Sequence, residues 1–419
     1  MEMSAKQVTD TAGDSPGSGG FQLKVLHAEG SRVWGGAMHA LETYLRSSDR
    51  RRIAHDIAFA HPVPGTERFE DLCQHIHDPC APASPFADRG PTLASRLPRL
   101  VEKLPGFKPA RLVKNWRRVR DMRRLIIAGG YDVVHLNDVP EVHAETVIAA
   151  WLCRCPVVAH FRNPSRAPNW DRWLGSRCSM LLAINRRLSQ DLTAAGVRVP
   201  VCTVYDAVEM PAAGSDEVQR LRRELAKPEE VLIGSVGRLV VQKGYEWFIP
   251  AAARVLAQFP NARFVIAGDG SERAALEKQI ASLGLGDRFR LLGHRWDATT
   301  IAAAFDLFVC PSLWEGGPLT VVEAMLLERP VVATDVGFVP EVIEHGRSGL
   351  VVPTRDLEAL AAAITTVLAL KPEERAAMGR AARHSTLSFT DVRLRAAELD
   401  DIFLRLAEQA RKGKAEWKG

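Results

Sequence analysis

At 419 residues, with 46% hydrophobic and 25% charged residues, the chain is too long for one ordinary core and reads as a two-domain globular protein. Its formal charge of +5 is mild and its basic residues lack interleaved aromatics, which argues against nucleic-acid binding. Seven cysteines at irregular spacing argue against a disulfide framework, and no apolar run reaches the roughly 18 residues that a membrane span requires.

Residues 1–20 are polar and Gly/Ser-rich and are expected to be a disordered tail. The expected location is the cytoplasm, free or peripheral on the inner face of the membrane. Leu23 to His27 is a predicted strand, followed by a loop with Gly30, Gly35 and Gly36 and a helix over 37–46. A strand, a Gly-Gly loop and a helix open a doubly wound domain, and Gly36 lets a ligand approach the backbone. A tight turn without ligand fits the same residues. A G-x-G-x-x-G fingerprint is missing from this loop.

Ile53 to Ala60 is the next strand, and residues 61–95 are expected to be irregular. His75 and His77 lie there beside Cys73 and Cys80, a metal cluster on one reading and a solvated loop on the plainer one. From Arg96 to Arg124 eleven lysines and arginines face two carboxylates, while Leu112, Trp116, Val119, Met122 and Ile126 mark one apolar helical stripe. Such a helix packs its stripe on the sheet with its basic face in water, or docks that face on anionic lipid or an anionic acceptor. Strands over 131–138 and 156–163 bring His135 and His160 toward their carboxyl ends, where open parallel sheets bind ligands. His160 is the stronger candidate; a histidine that merely caps a loop is its rival. Strands over 180–184 and 201–205 enclose a helix over 187–195, and residues 211–215 read as the linker between domains.

Strand–helix alternation then restarts. Strands are predicted at 231–236, 263–267, 289–292, 307–310, 331–334 and 349–352, with helices near 245–258, 271–283, 297–304, 319–328, 340–345 and 356–369. This spacing means a second parallel sheet covered on both faces. After its first strand, Arg238 and Lys243 lie between Gly237 and Gly244, and two cations on a glycine-bounded loop suit a diphosphate. Gly268 ends the second strand, and Arg295 follows the third. The fourth leads into Glu315, Gly316, Gly317 and Pro318, then a helix from Leu319 that carries Glu323. A helix amino end beside glycine amides suits phosphate, while fixed carboxylates suit sugar hydroxyls.

These residues together resemble the retaining glycosyltransferases of family 4 with the GT-B fold. The resemblance rests on G-R-L-x-x-x-K-G (237–244), F-V-I-A-G-D-G (264–270), P-S-L-W-E-G-G with E-x7-E (Glu315 to Glu323), P-V-V-A-T-D-V-G (330–337) and P-E-V-I-E-H-G-R-S-G-L-V-V (340–352). It implies two Rossmann-like α/β domains facing across a cleft, with bounds of 21–210 and 211–384, and a C-terminal helix and tail over 385–419 that returns to the first domain. It also implies transfer of a sugar from a nucleotide-diphosphate sugar, UDP-linked by preference, to a sugar or lipid-linked hydroxyl acceptor in envelope glycan synthesis, without a metal or other cofactor. On that pattern Arg238 and Lys243 neutralise the diphosphate and Glu323 holds the ribose. Glu315 and the Gly316–Gly317 amides contact the transferred sugar and phosphates, with Pro318 and Leu319 at the phosphate seat. Gly237, Gly268 and Arg295 line the donor site, Gly36 approaches the diphosphate from the other domain, and His160 contacts the sugar.

The chain departs from the family where E-G-F-G is Glu315-Gly316-Gly317-Pro318, where a second glycine after Gly337 is Phe338, and where an Asn-Gly pair begins with Asp206. The alternatives are a GT-B sugar-nucleotide 2-epimerase and a non-catalytic sugar-nucleotide-binding subunit.

Overall fold

Two stretches of strand–helix alternation build two all-parallel sheets in the computed structural model, which describes residues 22–32, 34–77, 109–162, 173–389 and 391–416. The part of the basic segment before residue 109, and Cys80, lie outside these residues.

The first sheet contains β1 (Leu23–Glu29), β2 (Ile53–Phe59), β3 (Ile76–His77), β4 (Val133–Leu136), β5 (Val157–Phe161), β6 (Met180–Ala183) and β7 (Val201–Thr203). Their order is β3-β2-β1-β4-β5-β6-β7. Helices α1 (Gly36–Ser47), α2 (Pro109–Gly129), α3 (Ala144–Leu152) and α4 (Arg186–Ala194) connect them. After α5 (Ser215–Leu225), the second sheet runs β10-β9-β8-β11-β12-β13. Its strands are β8 (Val231–Val236), β9 (Ala262–Ala267), β10 (Phe289–Leu291), β11 (Leu307–Cys310), β12 (Val331–Thr334) and β13 (Leu350–Val352). Between them lie α6 (Tyr245–Gln258), α7 (Arg273–Ser282), α8 (Ala298–Ala303), α9 (Leu319–Leu326) and α10 (Val339–Val342). The chain ends in α11 (Leu357–Ala369), α12 (Pro372–Thr386) and α13 (Val392–Glu416).

The strands are short apolar runs buried on both faces, as crossover helices demand. Strand order reverses between β1 and β4 in one sheet and between β8 and β11 in the other. Ligands bind outside the carboxyl ends of strands at such reversals, so the loops after β1, β4, β8 and β11 are the ones to inspect.

Helix α6 keeps the bounds expected of it although it contains a proline. Pro250 sits inside α6 and cannot bond to the Glu246 carbonyl; the Gln279 side chain from α7 supplies a donor to that carbonyl at 3.0 Å, so the helix runs on unbroken. The expected linker ends early, because Ser215 already begins α5. Helices α3 and α12 and the two-residue β3, which lies inside the expected irregular stretch, have no counterpart in the predicted elements. Helix α13 returns to the first domain and packs Ala396, Leu399, Ile402, Phe403 and Leu406 among Met38, Leu41 and Leu45 of α1. That spacing is one apolar stripe of a helix. No helix among the described residues is long and apolar enough to cross a membrane.

Candidate functional site

The loops after β8 and β11 are fastened to each other. Lys243 Nζ donates to Glu315 Oε1 at 2.7 Å, Ser312 Oγ donates to the same oxygen at 2.9 Å, and Gln242 Nε2 reaches Glu315 Oε2 at 3.2 Å. Burial is the largest single influence and would lower the Lys243 pKa, but the Glu315 carboxylate, with smaller contributions from Cys310 and Tyr245, raises it on balance and the ammonium is held charged. Gly244 adopts a left-handed conformation (φ 65°) and lies against the Pro311 carbonyl, where no side chain would fit. Gly237 leaves the space taken by the Lys243 stem and the Tyr245 hydroxyl. Arg238 is exposed and has no ion-pair partner among the described residues. One cation of the loop is committed, then, and the other is free to meet an anion.

Gly268 joins this floor, its amide donating to the Gly293 carbonyl at 2.8 Å. Arg295, expected in the donor site, is forked onto Asp297 at 2.7 and 2.6 Å within its own loop.

Pro318 caps α9 in an extended conformation, and a helix start leaves its first amides without intrahelical partners. Glu323, one turn in, makes no side-chain hydrogen bond among the described residues. Burial raises its pKa, and His39 and Lys243 pull it part of the way back. Phe338 is buried and fills the space a side chain at Gly317 would need. Two of the three departures from the family pattern are therefore linked: the aromatic ring missing at position 317 is supplied from position 338.

Across the cleft, Gly36 opens α1 opposite α9, and a β-carbon there would stand 3.8 Å from Leu319 Cδ1. Gly316 lies directly against the Arg162 carbonyl and Ile184. Arg162 pairs with Asp206 and donates from Nε to Asn137 Oδ1 at 3.1 Å; Asn137 in turn donates to Glu29 and to the Ala37 carbonyl. Arg162, Asn137 and Glu29 are buried at the carboxyl ends of β5, β4 and β1. Strand position is the only signal that points to them in the sequence.

His160 is not on the cleft wall. It is 2% exposed, with Nε2 3.4 Å from the Val204 carbonyl and Nδ1 3.4 Å from Arg162 Nη2. Two residues on, Arg162 occupies the strand end that the sequence reading gives to the histidine. His160 instead ends a buried row. Its ring centroid is 5.8 Å from that of His135, His135 Nδ1 is 2.9 Å from His27 Nδ1, and His27 Nε2 is 3.0 Å from His55 Nδ1. Burial pushes all four imidazoles well below their ordinary pKa, His55 to about 3.

Several bonds tie the domains together. Arg187 meets Asp335 at 3.1 Å, and Glu341 accepts from the Tyr205 hydroxyl and from the Arg186 amide. Asn185 Nδ2 donates to the Gly316 carbonyl at 2.7 Å. A cavity of about 160 Å³ beside it is lined by Asn185, Arg187, Trp314, Glu315 and Asp335 among others.

His75 and His77 turn toward Asp56 and Tyr131. Among the described residues no group of three or more His, Cys, Asp or Glu is placed to hold a metal ion. Helix α2 exposes Arg117, Arg118, Arg120, Arg123 and Arg124 together with Trp116 and Ile127. Trp151 and Leu152, at the end of the neighbouring α3, are exposed as well.

Residues 217–385 match the family described as glycosyl transferases group 1, and residues 34–210 match glycosyltransferase family 4. The lipopolysaccharide core biosynthesis mannosyltransferase LpcC of Rhizobium leguminosarum is 30% identical over 292 residues, which cover 67% of this chain and 78% of that one. The alpha-D-kanosaminyltransferase of Streptomyces kanamyceticus is 36% identical over 151 residues, 35% of this chain and 39% of the relative, well under two thirds of its length. In structure, Anabaena HepE in complex with UDP and glucose superposes with a TM-score of 0.73 at 22% identity, covering 91% of this chain and 99% of that one. At that identity the likeness bears on the fold, which is GT-B.

Proposed function

The chain belongs to the family 4 glycosyltransferases, and on that premise we propose that it transfers a sugar from a UDP-sugar to a hydroxyl acceptor with retention of anomeric configuration. The observation that carries this reading is the convergence at one cleft of an unpaired Arg238, a Lys243 held charged by Glu315, the amino end of α9 and the unbonded Glu323. Such a site is shaped to hold a nucleoside diphosphate and to stabilise the charge it acquires on leaving. The preference for uridine is supported by the UDP complexes of HepE, and the envelope-glycan acceptor by the name of LpcC.

In this mechanism the bond between the anomeric carbon and the diphosphate oxygen breaks as the acceptor oxygen bonds to that carbon from the same face. The departing phosphate oxygen takes the acceptor proton, and a nucleoside diphosphate leaves. Arg238 and Lys243 carry the growing charge, which requires no metal. Glu323 accepts from the ribose hydroxyls. Because both oxygens of Glu315 already receive hydrogen bonds, its part is to hold Lys243 and the loop, with one lone-pair direction left for a sugar hydroxyl. The face of α2, with its arginines, Trp116 and Ile127, would bring a lipid-linked acceptor within reach by resting on an anionic bilayer.

The test is a panel of UDP-, GDP- and ADP-sugars with lipid-linked acceptors. Acceptor-dependent release of UDP is expected. Failure of every donor to release nucleotide when acceptor is added would overturn the reading, and acceptor-free conversion of a donor to its epimer would replace it with an epimerase.

A further inference from the structure

The Gly316 carbonyl is where the donor loop is bonded to the opposite domain, and its partner is the Asn185 side chain at 2.7 Å. Asn185 is buried and is also the N-cap of α4, with Oδ1 accepting from the Leu188 amide at 2.6 Å. Once its oxygen serves as the cap, the NH2 group can point in only one direction. Here that direction is across the cleft. Asp, Ser or Thr would cap α4 comparably, but among good capping residues only Asn has separate acceptor and donor atoms.

The carbonyl has little freedom to turn elsewhere. Gly337, in a left-handed conformation (φ 53°), lies so near that a side chain there would collide with it, and Gly316 itself rests on the Arg162 carbonyl and Ile184. The Gly316–Gly317 peptide is trans, so its C=O and N–H point in opposite directions. Fixing the carbonyl on Asn185 therefore aims the Gly317 amide away from α4. The other bonds between the domains, from Arg187 to Asp335 and from Tyr205 and Arg186 to Glu341, do not touch this peptide.

We propose that Asn185 is a positioning residue that sets the Gly316–Gly317 peptide on domain closure, so that the closed protein alone presents the Gly317 amide to the donor. This rests on the transferase reading above. It makes the amides of the donor loop conditional on a residue of the opposite domain.

Asn185→Asp separates the two roles of the side chain. At pH 8 the carboxylate still caps α4 but offers no hydrogen to the Gly316 carbonyl. The melting temperature should fall by no more than a few degrees, since the cap is kept and one buried hydrogen bond is lost, and UDP affinity by calorimetry should stay within about twofold, since free UDP lacks the transferred sugar that the Gly317 amide would meet. Turnover of whichever sugar nucleotide proves active in the panel should fall about tenfold in kcat, as expected when a reacting group loses its orientation. In saturating UDP, the radius of gyration from small-angle scattering should exceed the wild type's. Asn185→Ser keeps a capping oxygen on a shorter side chain and should behave as N185D does; it takes over the test if N185D does not fold. Wild-type kcat in these variants, or parallel loss of UDP affinity and melting temperature, would overturn the proposal. So would equal radii of gyration in UDP, an outcome readable even if no donor in the panel is turned over and the transferase reading itself fails.

Discussion

Glu315 and Glu323 are eight positions apart in the sequence, yet the fold gives them different work. Glu315 accepts three hydrogen bonds, from Lys243, Ser312 and Gln242, whereas Glu323 lies in the cleft without a hydrogen bond among the described residues. A lone carboxylate of this kind is costly. Its raised pKa means that the folded chain retains a proton that the unfolded chain, titrating near 4.5, has lost. Ionised Glu323 therefore lowers stability at neutral pH, and the cost fades as pH falls toward 4.5. Glu323→Gln should melt above the wild type at pH 8 and converge with it near pH 4.5, the ordinary value for this group. The same variant should bind UDP about tenfold more weakly, since a charged hydrogen-bond partner of the ribose is lost. A variant no more stable than wild type at pH 8 would contradict the first expectation, and unchanged UDP affinity would remove Glu323 from the donor site.

At the scale of elements, α13 and α2 do opposite things with their polar residues. Helix α13 buries Asp400, which accepts from the Tyr44 hydroxyl at 2.6 Å, the Ser48 hydroxyl at 2.8 Å and the Asp49 amide at 3.0 Å, all on or just after α1. Ser48 Oγ also lies 2.8 Å from His55 Nε2, so the buried histidine row reaches Asp400 of α13 through the Ser48 hydroxyl. Helix α2 buries Val119 and Ile126 and turns Trp116, Arg120, Arg123 and Ile127 outward on one face. A face meant only for water has little use for an exposed tryptophan among arginines, whereas an anionic bilayer accommodates both. The protein should sediment with phosphatidylglycerol vesicles and not with phosphatidylcholine vesicles. The charge-reversal variant Arg120→Glu with Arg123→Glu should remain in the supernatant at unchanged melting temperature. Equal sedimentation of variant and wild type would count against docking through α2.

For the whole molecule, the first domain carries His27, His55, His135, His143 and His160 buried and uncharged. Each has a folded pKa below its unfolded value of 6.5, mainly through burial. Below pH 6.5 the unfolded chain binds protons that the folded chain refuses, so stability is full above that pH and drains away as pH falls. Each such histidine contributes a slope of up to about 1.4 kcal/mol per pH unit. The melting temperature should be level from pH 8 to 7 and drop steeply between pH 6.5 and 5. A level melting temperature down to pH 5 would mean that these imidazoles are charged or solvated in the folded protein.

Much of this was legible in the chain itself. Apolar runs of strand length separated by helical periods specify two parallel sheets, because only crossover helices can cover both faces of such strands. The motif loops, with Arg238, Lys243, Glu315 and Glu323, lie at strand ends by the same periodicity, and α6 was readable to the residue despite Pro250. What the sequence could not show is which polar atom faces which. Arg295 on Asp297, Glu315 on Lys243, and His160 beneath Arg162 are outcomes of side-chain packing at separations that a linear pattern does not encode. Asn185 is the clearest instance. Its place at the start of α4 and its capping role follow from local chemistry, but its bond to Gly316 joins residues 131 positions apart. Local sequence, acting through backbone propensity and hydrophobic period, determined the elements and the loops that carry the chemistry. Only the tertiary structure, by bringing two sheets together at their switch points, decided which groups are spent on one another and which are left free for a ligand.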